Sequence, residues 1–145
     1  MALVAIPELQ PPHQEQRLWE HTCFECFIAR EVGSAYHEFN FSPSGAWAAH
    51  AFSGYRDGGP LDDATLAPKI FVSRTDDSLG LNAVVSLDAL SPAHRGSALW
   101  LAISAVIEAR DGSRSYWALR HPEGAPDFHH REAFALWVET PEGGW

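Results

Sequence analysis

The sequence contains little cysteine, almost no lysine and no long apolar run. It has two cysteines, one methionine and, among its ten basic residues, a single lysine, Lys69. Against these stand 19 acidic residues, so the formal net charge is −9. This excess of negative charge argues against nucleic acid and anionic membrane surfaces as partners, because both are bound through cationic side chains.

No segment approaches the roughly 20 apolar residues that a transmembrane helix requires. The apolar start, MALVAI, is short and is soon followed by Pro7, Pro11 and Pro12. It also lacks the basic region and cleavage site of a secretory signal peptide. The sequence therefore predicts a cytoplasmic protein.

The two cysteines have the C-x-x-C spacing that zinc and redox sites use, at Cys23 and Cys26. Their surroundings predict a strand, in which positions three apart point to opposite faces. The two sulfur atoms then cannot bind one metal ion or form a disulfide with each other. A zinc site would also need a second ligand pair, and the chain has no other cysteine. We predict two free thiols.

Short segments rich in aromatic and β-branched residues alternate with turn signals, which predicts about eight strands and an all-β fold. The expected arrangement is an antiparallel β-sandwich, jelly-roll or immunoglobulin-like. Residues 18–140 would form this domain, after an extended proline-rich lead-in at 1–17 and before a tail at 141–145. The loops are predicted at 53–60 and 121–131, a helical turn at 61–68, and the strands at 18–29, 35–41, 46–53, 69–74, 80–87, 99–107, 115–119 and 133–139.

Three sequence blocks, LWEHTCFECF, YHEFNFSPSGAWAAHAFSGYRDG and SYWALRHPEGAPDFHH, resemble the signature blocks of the DOMON-like family. That family consists of β-sandwich domains similar to DOMON domains and to the family 9 carbohydrate-binding modules. The resemblance spans residues 18–138 and implies the same architecture, with relatives that bind sugars or haem. It also implies one or two strands before Leu18, where this chain has 17 proline-rich residues. We therefore expect residues 1–12 to fold back over the open sheet edge, or a homodimer to cover it.

The candidate catalytic groups are few. The chain has no G-x-S-x-G motif, and a thiol among strand aromatics, such as that of Cys23, has a raised pKa and is inert. Glu25 and Glu38, on neighbouring strands, could act as a hydrolytic pair. We favour a structural role for Glu25, Glu38 and Thr22, with Arg56 as the cation that pairs with the carboxylates, because an unpaired buried charge is costly. No catalytic residue is predicted.

Eight histidines offer metal or haem ligands, and the Asp127–His130 segment is the densest group. His129 and His130 would point apart in an extended chain, so a loop-bracing role is favoured over a metal site. Related haem sites use methionine with histidine or lysine, and the only methionine here is Met1. Ligation by two histidines stays open, which makes a haem-binding redox module the weaker alternative. No cofactor is predicted.

The function predicted is non-catalytic binding of a small molecule, with a carbohydrate as the ligand that the resemblance implies. Aromatic faces pack on sugar rings and polar side chains bind their hydroxyls, although most of the six tryptophans are expected in the core. The 121–131 loop should be ordered, with Phe128 tucked inward and with Asp127 and His129 bonded to nearby backbone. An interaction or scaffold domain without a small ligand is the alternative. The predicted binding residues are Glu38, Asn40, Trp47, Arg56, Trp117, Asp127 and His129.

Overall fold

The computed structural model describes residues 3–139. Besides one short helix, α1 (Leu87–Leu90), there are 3-10 turns at Leu18–Glu20, Ala64–Leu66, Pro92–His94 and Arg131–Ala133. The strands are β1 (His13–Gln14), β2 (Cys23–Arg30), β3 (Tyr36–Phe41), β4 (Ala46–Gly54), β5 (Asp57–Pro60), β6 (Lys69–Arg74), β7 (Leu79–Val84), β8 (Leu99–Glu108), β9 (Arg114–Ala118) and β10 (Leu136–Val138).

Eight of these strands form one sheet, in the order β1-β4-β3-β2-β8-β10, with β5 paired to β4 and β9 paired to β8. The sheet is mixed, since β1 runs parallel to β4 while the other pairs are antiparallel. The remaining strands, β6 and β7, form a separate hairpin. Strands make up 45% of the described residues, which confirms the all-β class. The sandwich is not confirmed, because the second sheet has only two strands.

Strand alternation gives the large sheet two different faces. One of them, called the covered face here, carries Ile28, Phe39, Trp47 and Leu99, all of which are buried. The β6–β7 hairpin and helix α1 supply the apolar residues that pack against it, Leu81 among them. Each large side chain buried in this way stabilises the fold by about 1.5–3 kcal/mol, so this face forms the main core.

The opposite face, called the site face here, carries Phe27 and Ala102 beside the carboxylates of Glu25 and Glu38. It is covered by segments with little regular structure rather than by a second sheet. The turn at Leu18–Glu20 packs at one end, where Leu18 is buried, and Phe134 packs at the other. Polar groups on this face therefore lie beneath loops, the usual location of binding sites.

Several element boundaries differ from those expected. The predicted 53–60 loop instead turns back at Tyr55 and Arg56 and forms β5. Gly58 permits the close approach of the two strands, because a Cβ atom there would lie 1.9 Å from the carbonyl oxygen of Ala51. The strand predicted at 80–87 ends earlier, since the side chain of Ser86 caps helix α1.

The N-terminal segment folds back along the sheet, but the residues that pair with the edge strand β4 are 13–14, just beyond the predicted 1–12. The amide of Ala5 donates to the carbonyl of Glu108 at 2.8 Å, and β1 adds to the edge of β4. The hydroxyl of Thr22 fixes this segment by donating to the carbonyl of Ala5 at 2.7 Å. The predicted homodimer stays a prediction, and the predicted tail at 141–145 lies outside the described residues. No helix within residues 3–139 is long and apolar enough to cross a membrane.

Candidate functional site

A cavity of about 420 Å³ lies between the site face and the loops that cover it. This volume falls within the range of about 300–1,000 Å³ typical of small-molecule pockets. Its wall combines charged and polar side chains on the sheet side with an apolar rim. The polar lining consists of Glu25, Glu38, His50, Arg56 and His129, and the apolar and aromatic rim of Trp19, Phe52, Val106, Tyr116, Pro126 and Phe128.

Strand register explains why the polar groups meet. Glu25 on β2 lies directly opposite Asn40 on β3 and Ser104 on β8. Glu38, two residues before Asn40 on the same face, lies opposite His50 on β4. Four neighbouring strands thus each place a polar side chain at the centre of the sheet. We call these five residues the polar floor.

The two carboxyls of the polar floor have strongly raised pKa values. Each side chain belongs to a residue only 5% exposed. Burial raises the pKa of Glu25 to about 8, the charge of Glu38 adds to the rise, and Ser104 and Arg56 oppose it. Burial raises the pKa of Glu38 to about 7, against the opposing effects of Asn40 and Arg56. Near neutral pH the pair therefore holds a proton that two exposed carboxylates would release.

The predicted ion pair between Arg56 and the buried carboxylates is wrong. Within the part of the chain that the structure describes, Arg56 pairs instead with Asp127, with 2.8 Å between Nη2 and Oδ1. The nearest titratable partner of Glu38 is His129, whose Nε2 lies 3.5 Å from Oε1. The physical reason is the difference in position between Arg56 and the carboxylates. Arg56 sits in the β4–β5 turn and its side chain is half exposed, whereas the carboxylates lie on the floor beneath it.

A clamp formed by Tyr55, Arg56 and Asp127 holds the covering loop against the sheet. The hydroxyl of Tyr55 donates to Asp127 Oδ2, and Arg56 Nε donates to the same hydroxyl at 3.2 Å. Arg56 adopts a positive φ of 54°, a conformation that is uncommon for residues other than glycine. The turn therefore tolerates some backbone strain, and in this conformation the side chain of Arg56 contacts the loop.

The 121–131 loop is ordered over the sheet, as predicted. Phe128 is half-buried and packs against the apolar residues at both ends of the site face. Asp127 Oδ1 accepts a hydrogen bond from the amide of His129 at 3.2 Å, as expected. The ring of His129 does not bond to backbone, contrary to the prediction, and instead bonds to the hydroxyl of Tyr36 at 2.8 Å.

This contact defines the tautomer of His129. The hydroxyl of Tyr36 accepts from the amide of Arg56 at 3.0 Å, so its own proton is free to donate to His129 Nδ1. Burial, followed by the charge of Arg56, lowers the pKa of His129 to about 4, so the ring is neutral at physiological pH. Its proton then resides on Nε2, the atom that faces Glu38.

Four buried side-chain atoms have no hydrogen-bond partner among residues 3–139, and all four belong to the polar floor. They are Nδ2 and Oδ1 of Asn40, Nδ1 of His50 and Oγ of Ser104. Asn40 is fully buried. Buried polar atoms in folded proteins are nearly always bonded. Asn40 and Ser104 do not line the cavity and lie close enough to Glu38 and Glu25 to lower the pKa values of these carboxyls. His50 is the cavity-lining member of the set, so its unbonded Nδ1 indicates a place for a polar ligand or bound water at the cavity wall.

The predicted binding residues divide between the two faces. Glu38, Arg56 and His129 line the cavity, and Asp127 pairs with Arg56. Asn40 lies on the same face of the sheet but is fully buried and does not line the cavity. Trp47 does not belong to this site, because it is buried in the core of the covered face. Trp117 does not belong to this site either. It pairs in register with Ala105, so its side chain lies on the same side of the sheet as the covered face, where it is 62% exposed.

Sequence reasoning missed His50 and Ser104 as members of the site. Ser104 is a single hydroxyl within the apolar segment Leu99–Glu108, and nothing local distinguishes it from a tolerated surface serine. Only its position opposite Glu25 reveals its place in the floor. The one signal available in the sequence was the alternation of side chains along a strand. It places Glu38 and Asn40 on one face but does not say which residues of the neighbouring strands lie opposite them.

The cysteines lie on opposite faces of the sheet, as their spacing predicts. Cys23 pairs in register with Val106 and lies on the site face, while Cys26 pairs with Phe39 on the covered face. Both are free thiols. In the described part of the chain, no group of three or more histidine, cysteine, aspartate or glutamate side chains is placed to hold a metal ion.

Comparison of the chain with protein-family profiles, with curated proteins and with solved structures finds no match. The resemblance to the DOMON-like family therefore stays a prediction. The properties of the cavity have to be argued from its own chemistry.

Proposed function

We propose that this protein binds a small polar molecule in the cavity above the polar floor, as a binding module rather than an enzyme. The observation that carries the proposal is the cavity itself, whose wall brings together the buried carboxyls of Glu25 and Glu38 and the imidazole of His50, which has an unpartnered Nδ1. A buried polar atom left unbonded costs about 1–3 kcal/mol, so a fold without a ligand would gain by replacing these side chains with apolar ones.

The composition of the cavity favours a polyhydroxylated ligand, such as a carbohydrate. His50 Nδ1 can donate or accept according to tautomer, and the protonated carboxyl pair offers both functions. Phe52, Phe128 and the other rim aromatics can contact the C–H faces of a ring. A ligand with alternating hydroxyl and C–H surfaces uses both parts of the wall.

His50→Leu is the decisive variant. It removes an imidazole that lines the cavity and whose buried Nδ1 has no hydrogen-bond partner among residues 3–139. We expect the melting temperature to stay the same or rise, because a buried polar group without a partner is lost, while ligand affinity falls at least tenfold. The ligand panel consists of neutral sugars and polyols, tested by thermal shift and then by calorimetry.

Asn82→Leu is the control, since Asn82 is exposed on β7, away from the cavity. It should leave binding unchanged. A clear loss of stability in His50→Leu would show that the imidazole is structural. Failure of every compound in the panel to bind the wild-type protein would contradict the choice of a neutral polyol.

A further inference from the structure

The polar floor has an excess of negative charge that the protein's own cations do not neutralise by contact. Glu25 and Glu38 are both buried, and the one basic side chain within 4 Å of either, His129, is a neutral imidazole at physiological pH. Arg56 is committed to Asp127. Two carboxyls in a cavity without a contacting cation need either protons or a positively charged ligand.

The register places the two carboxyls at a spacing that suits one small cation. Glu25 lies opposite Asn40 and Glu38 lies opposite Phe27, so the two glutamates are diagonal neighbours on adjacent strands. Side chains in this relation can reach a common point between them. Both carboxyls line the same cavity, so a ligand there can contact them together.

From this arrangement we propose that the ligand carries a primary ammonium group, which binds between the carboxylates of Glu25 and Glu38. An ammonium group has three donors and no acceptor, which suits two ionised carboxylates, groups that only accept. The aromatic faces at the rim, including Phe52 and Phe128, favour a cation further. This inference rests on the proposed function and specifies the ligand class of the same cavity.

The reaction on binding is a proton balance without any covalent step. The protonated carboxyl loses its proton to solvent, and the incoming ammonium keeps its three protons and replaces the lost positive charge. The pH dependence of ligand binding depends on the titratable and charged groups that surround the Glu25–Glu38 pair. The other titratable or charged groups around it are Cys23 on β2, Tyr36 on β3, His50 on β4, Arg56 in the β4–β5 turn, Tyr116 on β9, and Asp127 and His129 in the covering loop.

The test compares amines with alcohols of the same shape: serinol with glycerol, cyclohexylamine with cyclohexanol, and benzylamine with benzyl alcohol. Each compound is titrated into the full chain by calorimetry at several pH values between 5.5 and 8.5, in phosphate and in HEPES buffers. The two buffers have different ionisation enthalpies, so the difference in heat gives the number of protons released. Cyclohexylamine and benzylamine, like lysine, stay mainly charged over this range. The two hydroxyls of serinol lower the pKa of its amine, so serinol is compared with glycerol only up to about pH 7.5.

We expect at least one amine to bind about tenfold to a hundredfold more tightly than its alcohol, since charge-assisted hydrogen bonds are about twice as strong as neutral ones. Its affinity should rise with pH as the pair ionises, and up to about one proton should be released near pH 7. Glu25→Gln and Glu38→Gln should each reduce both the affinity and the proton release. Glu123→Gln, which alters an exposed carboxylate outside the cavity, should change neither.

The outcomes separate the two proposals. Equal binding of an amine and its alcohol, or amine binding without proton release and without pH dependence, would overturn the ammonium inference and leave the binding function standing. Binding of alcohols alone would have the same meaning. If no compound of either kind binds, the inference and the proposed function both fall.

Discussion

Replacement of Glu25 by glutamine should stabilise the protein at high pH and leave its stability nearly unchanged at low pH. The folded-state pKa of Glu25 lies above its ordinary value of 4.5, so the folded protein retains a proton that the unfolded chain releases. The stability linked to that proton is complete below pH 4.5 and is lost as the pH rises through about 8. Glutamine has no proton to lose.

The magnitude follows from the two pKa values. At 1.36 kcal/mol for each pH unit between them, a carboxyl that titrates alone would lose about 4–5 kcal/mol of folding free energy. The neighbouring carboxyl of Glu38 is also raised and contributes to the rise at Glu25, so its removal is not additive with that of Glu25. We therefore expect Glu25→Gln to be about 2–4 kcal/mol more stable than the wild type at pH 9, and within about 1 kcal/mol of it at pH 5.

Urea unfolding monitored by tryptophan fluorescence measures this difference at each pH, with buried Trp47 as a reporter. Taking the difference between variant and wild type cancels the histidines, which titrate in both proteins. Glu123→Gln serves as the control and should give a difference near zero at every pH. A stability difference that does not change with pH, or a Glu25→Gln protein less stable at pH 9, would refute the assignment of a buried, proton-sharing pair.

Three other outcomes follow from the same structure. Trp47→Ala should destabilise the fold by about 3–5 kcal/mol, because Trp47 is 3% exposed in the core, whereas Trp117→Ala, at a side chain 62% exposed, should stay within about 1 kcal/mol by urea unfolding. Asp127→Asn should accelerate amide hydrogen exchange in its own loop, because it weakens the ion pair with Arg56 and the charge-assisted hydrogen bond from Tyr55. Unchanged exchange would show that these contacts do not hold the loop. Burial raises the pKa of both thiols, that of Cys26 to about 11, so a thiol reagent at pH 7 should modify the native protein far more slowly than the unfolded chain, and rapid labelling would place a thiol at the surface.

The sequence by itself determined those features that depend on local periodicity. Alternation of apolar and polar residues located β2, β3, β4, β6 and β8 to within a few residues, and with them the all-β class. It also placed Cys23 and Cys26 on opposite faces, because the side-chain period of a strand is two. The turn at Asp111-Gly112 follows from the same local chemistry, with Gly112 at a φ of 86°.

Only the tertiary structure decided which strands become neighbours and which loops cover them. Ser104 and Glu25 are far apart in the chain and meet through the pairing of β8 with β2, which no local pattern specifies. The partner of Arg56 depended on the path of a loop some seventy residues away. The face of each tryptophan depended on register, and this removed Trp47 from the site. Long-range pairing is set by the packing of the whole sheet, so the polar floor exists only once the chain has folded.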